Sequence, residues 1–508
     1  MRTISAGGSR SVLMHCNAGR DYGMGHLMRV LTLGAEAAAR GWSVTLAGDL
    51  DPTALNTIRD QLGEVPNVHR LLRPDHAAGL PDLVKALAPD VVHLDSYMRE
   101  SDALASKASF VSNVQDGGFG SRPARLVIDP NYGAESSLID SPTGVHPLFG
   151  ISYAHIRSQA RAVRGRWTPS PDPSRVLIVL GGTDPFQLTP TLLRAMSAMK
   201  RRLQITVVAS VSVRDDVERA AQSSPHAVQV TGFLSDLPAA AVAHDLVISA
   251  AGTSVWDFAC MGVPTAMVCV TENQEKGYDA AASRGLAVPL QRSPASSWAH
   301  VADRVDGLLD DVDRLSALSR AGMSAVDGFG AWRVVSAWES LMESSPTPAA
   351  SDGYRARPAV PDDARMLFDW RNDPDTRRVS RSMEAVDWDD HVAWLAKALD
   401  DHERVLLIVE KDARPIGTVR WDHRGDAEWE VSITLAPQSR GRGLAAGVLS
   451  AAEDGLLSEH TVRFIAAIQE ANTASRRLFA RAGYLPFTPA DDRGFAEYAK
   501  LRAPSAAV

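Results

Sequence analysis

Cysteine is scarce: Cys16, Cys260 and Cys269 are the only three in 508 residues. Three scattered thiols make neither a disulfide framework nor a zinc-binding set. They fit a reducing compartment, so a cytoplasmic protein without a structural metal is expected. No apolar run is long and uninterrupted enough to span a bilayer, which excludes a membrane-spanning helix from the expectation. The residues after Met1 are small and polar and carry no apolar core of a secretory signal. A basic excess is missing too. Lys and Arg number 53 against 61 Asp and Glu, a net charge of -8, which argues against a nucleic-acid partner. Internal repeats and low-complexity tracts are absent. The remainder is ordinary for a globular protein, with 45% hydrophobic and 22% charged residues. The length suggests roughly three folding units.

The first two thirds alternate β-branched runs with helical patterns. Segments 11–16, 43–48, 90–95 and 125–130 read as one series of strands. Segments 175–182, 203–210, 227–233, 245–252 and 264–270 read as a second. Helical patterns such as 27–40 and 187–200 separate most of them. That alternation predicts parallel sheets with right-handed crossovers, hence two facing Rossmann-like halves. The Pro/Ser-rich stretch 167–174 is the expected joint between residues 1–166 and residues 167–342. A second small, polar, proline-bearing stretch, 343–353, reads as a linker. Residues 354–508 have another grammar: a helix-rich start over 361–400, antiparallel-looking strands at 404–411, 414–422 and 427–436, then a glycine-rich turn and a helix. The fold class expected is therefore α/β, two facing Rossmann-like domains followed by an α+β domain.

In open parallel sheets ligands bind beyond the carboxyl ends of strands. The run Tyr22-Gly23-Met24-Gly25-His26-Leu27-Met28-Arg29 follows the first strand and opens a helix. Gly23 and Gly25 allow a tight turn and close backbone approach, and the helix start offers N–H groups to an anion. His26 would sit at that mouth, where an imidazole suits proton transfer near neutral pH. A capping or surface histidine is the plainer alternative. In the second series, the turn containing Gly182 and Thr183 again joins a strand to a helix. Gly252, Thr253 and Ser254 could cradle a diphosphate through backbone N–H groups and hydroxyls, with Asp257 one turn further on for ribose hydroxyls. Glu272, Asn273 and Gln274 would line the cleft. Ordinary strand-end turns would use the same glycines for geometry alone.

Taken together, these motifs make residues 11–335 resemble the nucleotide-sugar hydrolase of the pseudaminic acid pathway, a relative of two-Rossmann (GT-B-like) glycosyltransferases. The pattern Gly-X-Gly-His with a following Arg is carried by Gly23 to Arg29. A Gly-Gly-Thr-Asp run is Gly181 to Asp184, and the Ser-rich turn, Gly-X-Pro and Glu-Asn-Gln recur at 249–254, 262–264 and 272–274. Asp95-Ser96-Tyr97 matches an acidic strand end, and Asp116 falls where the family places another aspartate. The resemblance implies UDP on the C-terminal half, sugar on the N-terminal half, and His26 activating a water against the anomeric carbon. The family's Arg-X-Asp run is here His15-Cys16-Asn17-Ala18-Gly19. Asn17 thus stands on the sugar side, and the sugar or the acceptor is expected to differ. Asp257 replaces the usual glutamate.

The loop Gln438-Ser439-Arg440-Gly441-Arg442-Gly443 lies between a strand and a helix. Its backbone N–H groups and the arginines Arg440 and Arg442 would hold a pyrophosphate. Glu428 and Glu430 alternate with Trp429 and share one face of the strand before it, so either could take a proton through a water. Ordinary strand-surface charge is equally consistent with both. This part resembles the GNAT acetyl-CoA-dependent N-acetyltransferases, with Gln438, Gly441 and Gly443 on the glycine-rich loop. The segment 369–395 looks like the subgroup that acetylates amino sugars or protein N-termini. The resemblance places Asn472 and Ser475 beside the pantetheine arm of acetyl-CoA and asks for a tyrosine general acid nearby. Phe479 occupies that slot, and Tyr484, a few residues on, is the candidate, with a packing residue at the helix end as the plainer alternative. The joint expectation is a bifunctional enzyme that N-acetylates a UDP-linked amino sugar with acetyl-CoA and hydrolyses the UDP-linked (di)acetamido-deoxy sugar to free sugar and UDP. A UDP-sugar-dependent glycosyltransferase fused to an acetyltransferase is the alternative.

Overall fold

The computed structural model describes residues 10–19, 22–62, 68–70, 76–97, 110–138, 144–181, 184, 186–232, 234, 236–295, 297–343, 353–378, 380, 382–425, 427–456 and 460–504. The chain divides into two compact units, Met1–Ser137 with Pro147–Val335, and Leu138–His146 with Ser336–Val508. Gly182 and Thr183, expected above in a strand-to-helix turn, lie outside the described residues.

The first unit carries two sheets. One holds β1 (Ser11–His15), β2 (Ser43–Gly48), β3 (Val68–Arg70), β4 (Val91–Leu94), β5 (Val111–Val114), β6 (Leu126–Asp129) and β7 (His146–Phe149), in the order β3-β2-β1-β4-β5-β6-β7. Its pairs from β3 through β6 are parallel. The other sheet is parallel throughout, with β8 (Arg175–Val179), β9 (Gln204–Val208), β10 (Ala227–Thr231), β11 (Leu246–Ala250), β12 (Thr265–Cys269) and β13 (Val288–Arg292) ordered β10-β9-β8-β11-β12-β13. Helices cover both faces of such sheets, so the strands are nearly continuous apolar runs. Val12, Leu13 and Met14 are buried in succession, as are Val176, Leu177 and Ile178.

Strand order reverses between β1 and β4 in the first sheet and between β8 and β11 in the second. A crevice opens at the carboxyl ends of each such pair. The residues that follow β1 and β4 therefore meet: the helix Gly25–Ala39 starts just after β1, and Asp95 and Tyr97 come just after β4. That helix buries Leu27, Val30, Leu31, Leu33, Gly34 and Ala37 on its core side. It ends at Gly41, whose φ of 80° lets the next amide, Trp42 N, turn back to Ala37 O.

The second unit is α+β. Its sheet runs β14 (Tyr354–Pro358), β15 (Arg404–Lys411), β16 (Arg414–His423), β17 (Glu428–Leu435), β18 (Val462–Gln469), β20 (Phe495–Arg502), β19 (Leu485–Thr488) in spatial order. Side chains alternate across it. Leu407, Trp421, Phe464 and Tyr484 pack with the helix Ala445–Gly455 on one face, and Leu406 and Ile408 pack with Leu367, Trp370 and Leu395 on the other. All neighbouring pairs are antiparallel except β17 with β18. These two are parallel and pair only where Glu428, Trp429 and Glu430 face Arg463, Phe464 and Ile465.

Candidate active sites

In the first unit, Gly19 and Gly23 exchange two backbone hydrogen bonds, and the φ of 75° at Gly23 closes the turn that leads into the helix Gly25–Ala39. The N-cap residue Met24 makes no side-chain cap to that helix start. One helical turn separates His26 from Arg29, which puts both on one face. His26 Nδ1 lies 2.6 Å from Asp95 Oδ1 and 3.0 Å from Arg29 Nη2, and the imidazole is largely buried. Arg29 donates to Asp95 through Nε at 2.9 Å and Nη2 at 2.6 Å, and its Nη1 spans both oxygens of Asp116 at 2.9 and 3.0 Å.

The Tyr97 hydroxyl donates to Asp116 Oδ2, and its ring stands edge-on to His26 with centroids 4.5 Å apart. Asn131 Nδ2 donates to Asp116 at 2.8 Å and to Asp129 at 3.0 Å. From the second sheet, Asn273 Nδ2 reaches the Tyr97 oxygen at 3.2 Å, with Thr271 Oγ1 holding the Asn273 carbonyl at 2.6 Å. The structure thus brings His26, Asp95, Tyr97, Asp116 and Asn273 into one cluster.

The electrostatics follow from burying one guanidinium between two carboxylates. Burial would raise the Asp95 carboxyl, yet Arg29 and then His26 hold it well below the usual carboxylate range. Asp116 is likewise held down by Arg29 and by the Tyr97 hydroxyl against the push of burial. Burial opposes the charge on Arg29, but Asp116 and Asp95 keep it charged. Burial, and then the Asp116 charge, raise the Tyr97 phenol, so it stays protonated. Asp95 therefore remains an anion facing Nδ1 of His26.

The other expected residues are placed as follows. Asn17 is buried and accepts the Asp49 amide at 2.9 Å. Asp257 is buried and bound by Arg157 through Nε at 3.0 Å, Nη2 at 2.8 Å and the backbone N–H at 3.2 Å. Thr253 and Ser254 begin the helix Ser254–Met261 without a side-chain cap. A Cβ on Gly252 would lie 3.7 Å from Gln274 Nε2, whose carbonyl takes the Val270 amide at 2.9 Å. Glu272 is exposed. Sequence reasoning gave Arg29 no role and passed over Asn131 and Asp129. The three-residue spacing from His26 was the signal for Arg29.

In the second unit, Gly441 and Gly443 have φ of 71° and 73°, with open space where a Cβ would be. Their conformation, which only glycine adopts without strain, turns the loop into the helix Ala445–Gly455, whose start has no side-chain cap. Gln438 and Arg442 are exposed, and Arg442 pairs with no carboxylate among the described residues. Arg440 instead binds Asp373 Oδ1 at 2.5 Å and Thr376 Oγ1 at 2.6 Å. Beyond Glu430, β17 and β18 continue without pairing to one another, which leaves backbone groups on their facing edges for another partner.

Glu428 is bound by Arg463 at 2.7 Å, and Glu430 lies 3.8 Å from Arg424 Nε. Asn472 Oδ1 caps the helix Thr473–Arg481 by accepting from Ser475 N at 3.1 Å. Tyr484 is fully buried and donates to Glu453 Oε1 at 2.9 Å, so its proton is committed within the core. Among the described residues, no cluster of His, Cys, Asp and Glu could hold a metal ion, and no helix is long and apolar enough to cross a membrane.

Two family matches bear on these sites. Residues 176–283 match the Glycosyltransferase family 28 C-terminal domain, and residues 355–485 match the Acetyltransferase (GNAT) domain. The chain thus joins a part similar to glycosyltransferases to a part similar to GNAT acetyltransferases. Over 333 residues it is 22% identical to the spore coat polysaccharide biosynthesis protein SpsG of Bacillus subtilis, covering 64% of this chain and 97% of that protein. Among solved structures, the MurG of Acinetobacter baumannii is similar at 18% identity and a TM-score of 0.47, over 65% of this chain and 98% of that one. A spermidine N-acetyltransferase from Vibrio cholerae, solved with CoA and spermine, is similar at 15% identity and a TM-score of 0.26, over 30% of this chain and 96% of that one.

Proposed function

We propose that the chain is a bifunctional cytoplasmic enzyme acting on a UDP-linked amino-deoxy sugar of a pseudaminic-acid-like pathway. Its GNAT part acetylates the sugar amine, and its first unit hydrolyses the sugar–UDP bond. The observation that carries the second activity is the His26–Asp95–Arg29 arrangement. Arg29 keeps Asp95 an anion beside Nδ1, which supports a tautomer with the proton on Nδ1 and the lone pair on Nε2. His26 Nε2 takes a proton from water as the water oxygen bonds to the anomeric carbon. The bond from that carbon to the phosphate oxygen breaks, and its electron pair leaves on UDP. Helix starts at Gly25 and at Ser254, both without side-chain caps, suit the diphosphate charge.

For acetyl transfer, the uncapped helix start and glycine loop at 441–443 and the open edges of β17 and β18 fit acetyl-CoA, which supplies the acetyl group. The amine nitrogen bonds to the thioester carbonyl carbon, Glu430 or Glu428 takes its proton through a water, and the carbon–sulfur bond breaks with its electron pair leaving on the CoA sulfur. A second reading, transfer of the sugar to an acceptor other than water, is favoured by the family 28 match. Mass spectrometry of products from the protein, acetyl-CoA and a panel of UDP-4-amino sugars without other acceptor tests both. Free N-acetylated sugar plus UDP supports the proposal, whereas acetylated sugar still joined to UDP supports the transferase reading. UDP release that survives at the wild-type rate in His26→Ala removes His26 as the base.

A further inference from the structure

The glycine loop of the second unit carries two arginines in different surroundings. Arg442 is exposed and pairs with no carboxylate among the described residues. Arg440 is turned away from the helix start. Its backbone is extended, with φ of -72° and ψ of 153°, and Gly441 at φ 71° then bends the chain into the glycine turn. The Arg440 guanidinium reaches residues 67 and 64 positions earlier in the chain. Nη1 donates to Asp373 Oδ1 at 2.5 Å and Nη2 to Thr376 Oγ1 at 2.6 Å.

The acceptors of these bonds are themselves fixed. Asp373 Oδ1 also takes the N–H groups of Asp375 at 3.0 Å and Thr376 at 3.1 Å, where the short helix Pro374–Arg378 begins. Asn372, just before it, exchanges hydrogen bonds of 2.8 and 2.9 Å with the Val386 backbone. The helix Ala364–Asn372 packs Leu367 and Trp370 into the cluster that also buries Ala436, the residue ahead of the loop. The hydrogen bond from Arg440 holds the Asp373 carboxyl below the usual carboxylate range, so the pair stays ionised at neutral pH. An arginine matched so closely by a carboxylate has little charge left for a pyrophosphate. It supplies position instead. A turn with two glycines is costly to order, and its N–H groups converge on an anion only when it is held in one shape. Fixing the turn in advance removes that cost from ligand binding.

We propose that Asp373 and Thr376 are positioning residues for acetyl-CoA: through Arg440 they hold the glycine turn in its anion-binding shape, while Arg442 supplies the charge. This rests on the reading that the second unit binds acetyl-CoA. Linkage is reciprocal, so the cofactor steadies the helix Pro374–Arg378 in return. Calorimetric titration of the full chain with CoA tests the first effect. Arg440→Met and Asp373→Ala should each weaken binding about tenfold, near the low end for a hydrogen bond to a charged group, and the double variant no further. In turnover, Asp373→Ala should raise KM for acetyl-CoA at unchanged kcat. S-acetylpantetheine, which has the thioester but no pyrophosphate, should serve wild type and Asp373→Ala equally well. A matching loss with that donor marks general damage to the fold and overturns the proposal. On adding CoA, amide exchange at residues 375–378 should slow in wild type and not in Arg440→Met, and equal behaviour of the two removes the coupling. Additive losses in the double variant, or Asp373→Ala binding CoA as well as wild type or better, also overturn it. Wild type that binds no CoA overturns the acetyl-CoA reading, and this inference with it.

Discussion

Asp95→Asn separates the electrostatic argument from shape, because the side chains are nearly isosteric. Asp95 is fully buried, accepts from the Nε and Nη2 of Arg29 and faces His26 Nδ1. Asparagine keeps one acceptor and turns the other oxygen into an NH₂ that faces a donor. Removing one member of a buried ion pair costs about 3–5 kcal/mol. Arg29 keeps Asp116, so the low end, about 3 kcal/mol, applies. Against a typical stability of about 5–15 kcal/mol, the variant still folds. The lost anion also frees the His26 tautomer, and UDP release should fall about 10²–10⁴-fold. Because the folded Asp95 carboxyl is held below its unfolded value near 3.9, its contribution is fully present above that value and is lost only as pH falls towards the folded one. The stability difference between wild type and variant should therefore be flat from about pH 5 to 8. Urea unfolding across that range, with UDP release measured in parallel, checks both numbers. A variant within about 1 kcal/mol of wild type that turns over at the wild-type rate would refute the reasoning.

Two further expectations concern groups buried away from the reaction. Burial pushes the His93 imidazole down to about 4. The unfolded chain, with histidine near 6.5, binds that proton first, so stability falls as pH drops from 6.5 towards 4, by about 2 kcal/mol at pH 5. His93→Gln should flatten that slope in urea titrations at pH 7 and pH 5, and an unchanged slope would assign it to other groups. Tyr484→Phe removes one donor from Glu453, which keeps Lys500 Nζ at 2.6 Å, so a loss of about 1 kcal/mol is expected with acetyl transfer unaltered. A large fall in acetyl-transfer kcat would instead make the Tyr484 hydroxyl the general acid.

Where the sequence was legible, local physics sufficed. The buried runs at β1 and β8, and the glycines that end them, announce both the strands and the crevice beyond. The strands 404–411, 414–422 and 427–436 are matched within a residue by β15, β16 and β17. β5 escaped notice because Val111–Val114 has Ser112 and Asn113 at its centre. Both are fully buried, and Asn113 is held by the Gly120 carbonyl and Arg122. Polar groups satisfied from afar defeat a test based on apolar runs. The same limit hid the role of Arg29, whose carboxylates lie 66 and 87 residues away. Asp257 reads locally as a carboxylate awaiting a ribose, while its partner Arg157 is 100 residues distant.

The short pairing of β17 with β18 has a consequence for the sheet itself. A sheet normally has two borders, each a row of amides and carbonyls able to recruit a foreign strand. This sheet gains two more in its interior, where β17 and β18 stop pairing after Glu430 and Ile465. A pantetheine chain lying there would act as the missing rung of a ladder, closing a seam through which another polypeptide could otherwise zip. Under the proposed acetyl transfer, cofactor supply would then guard the solubility of the second unit.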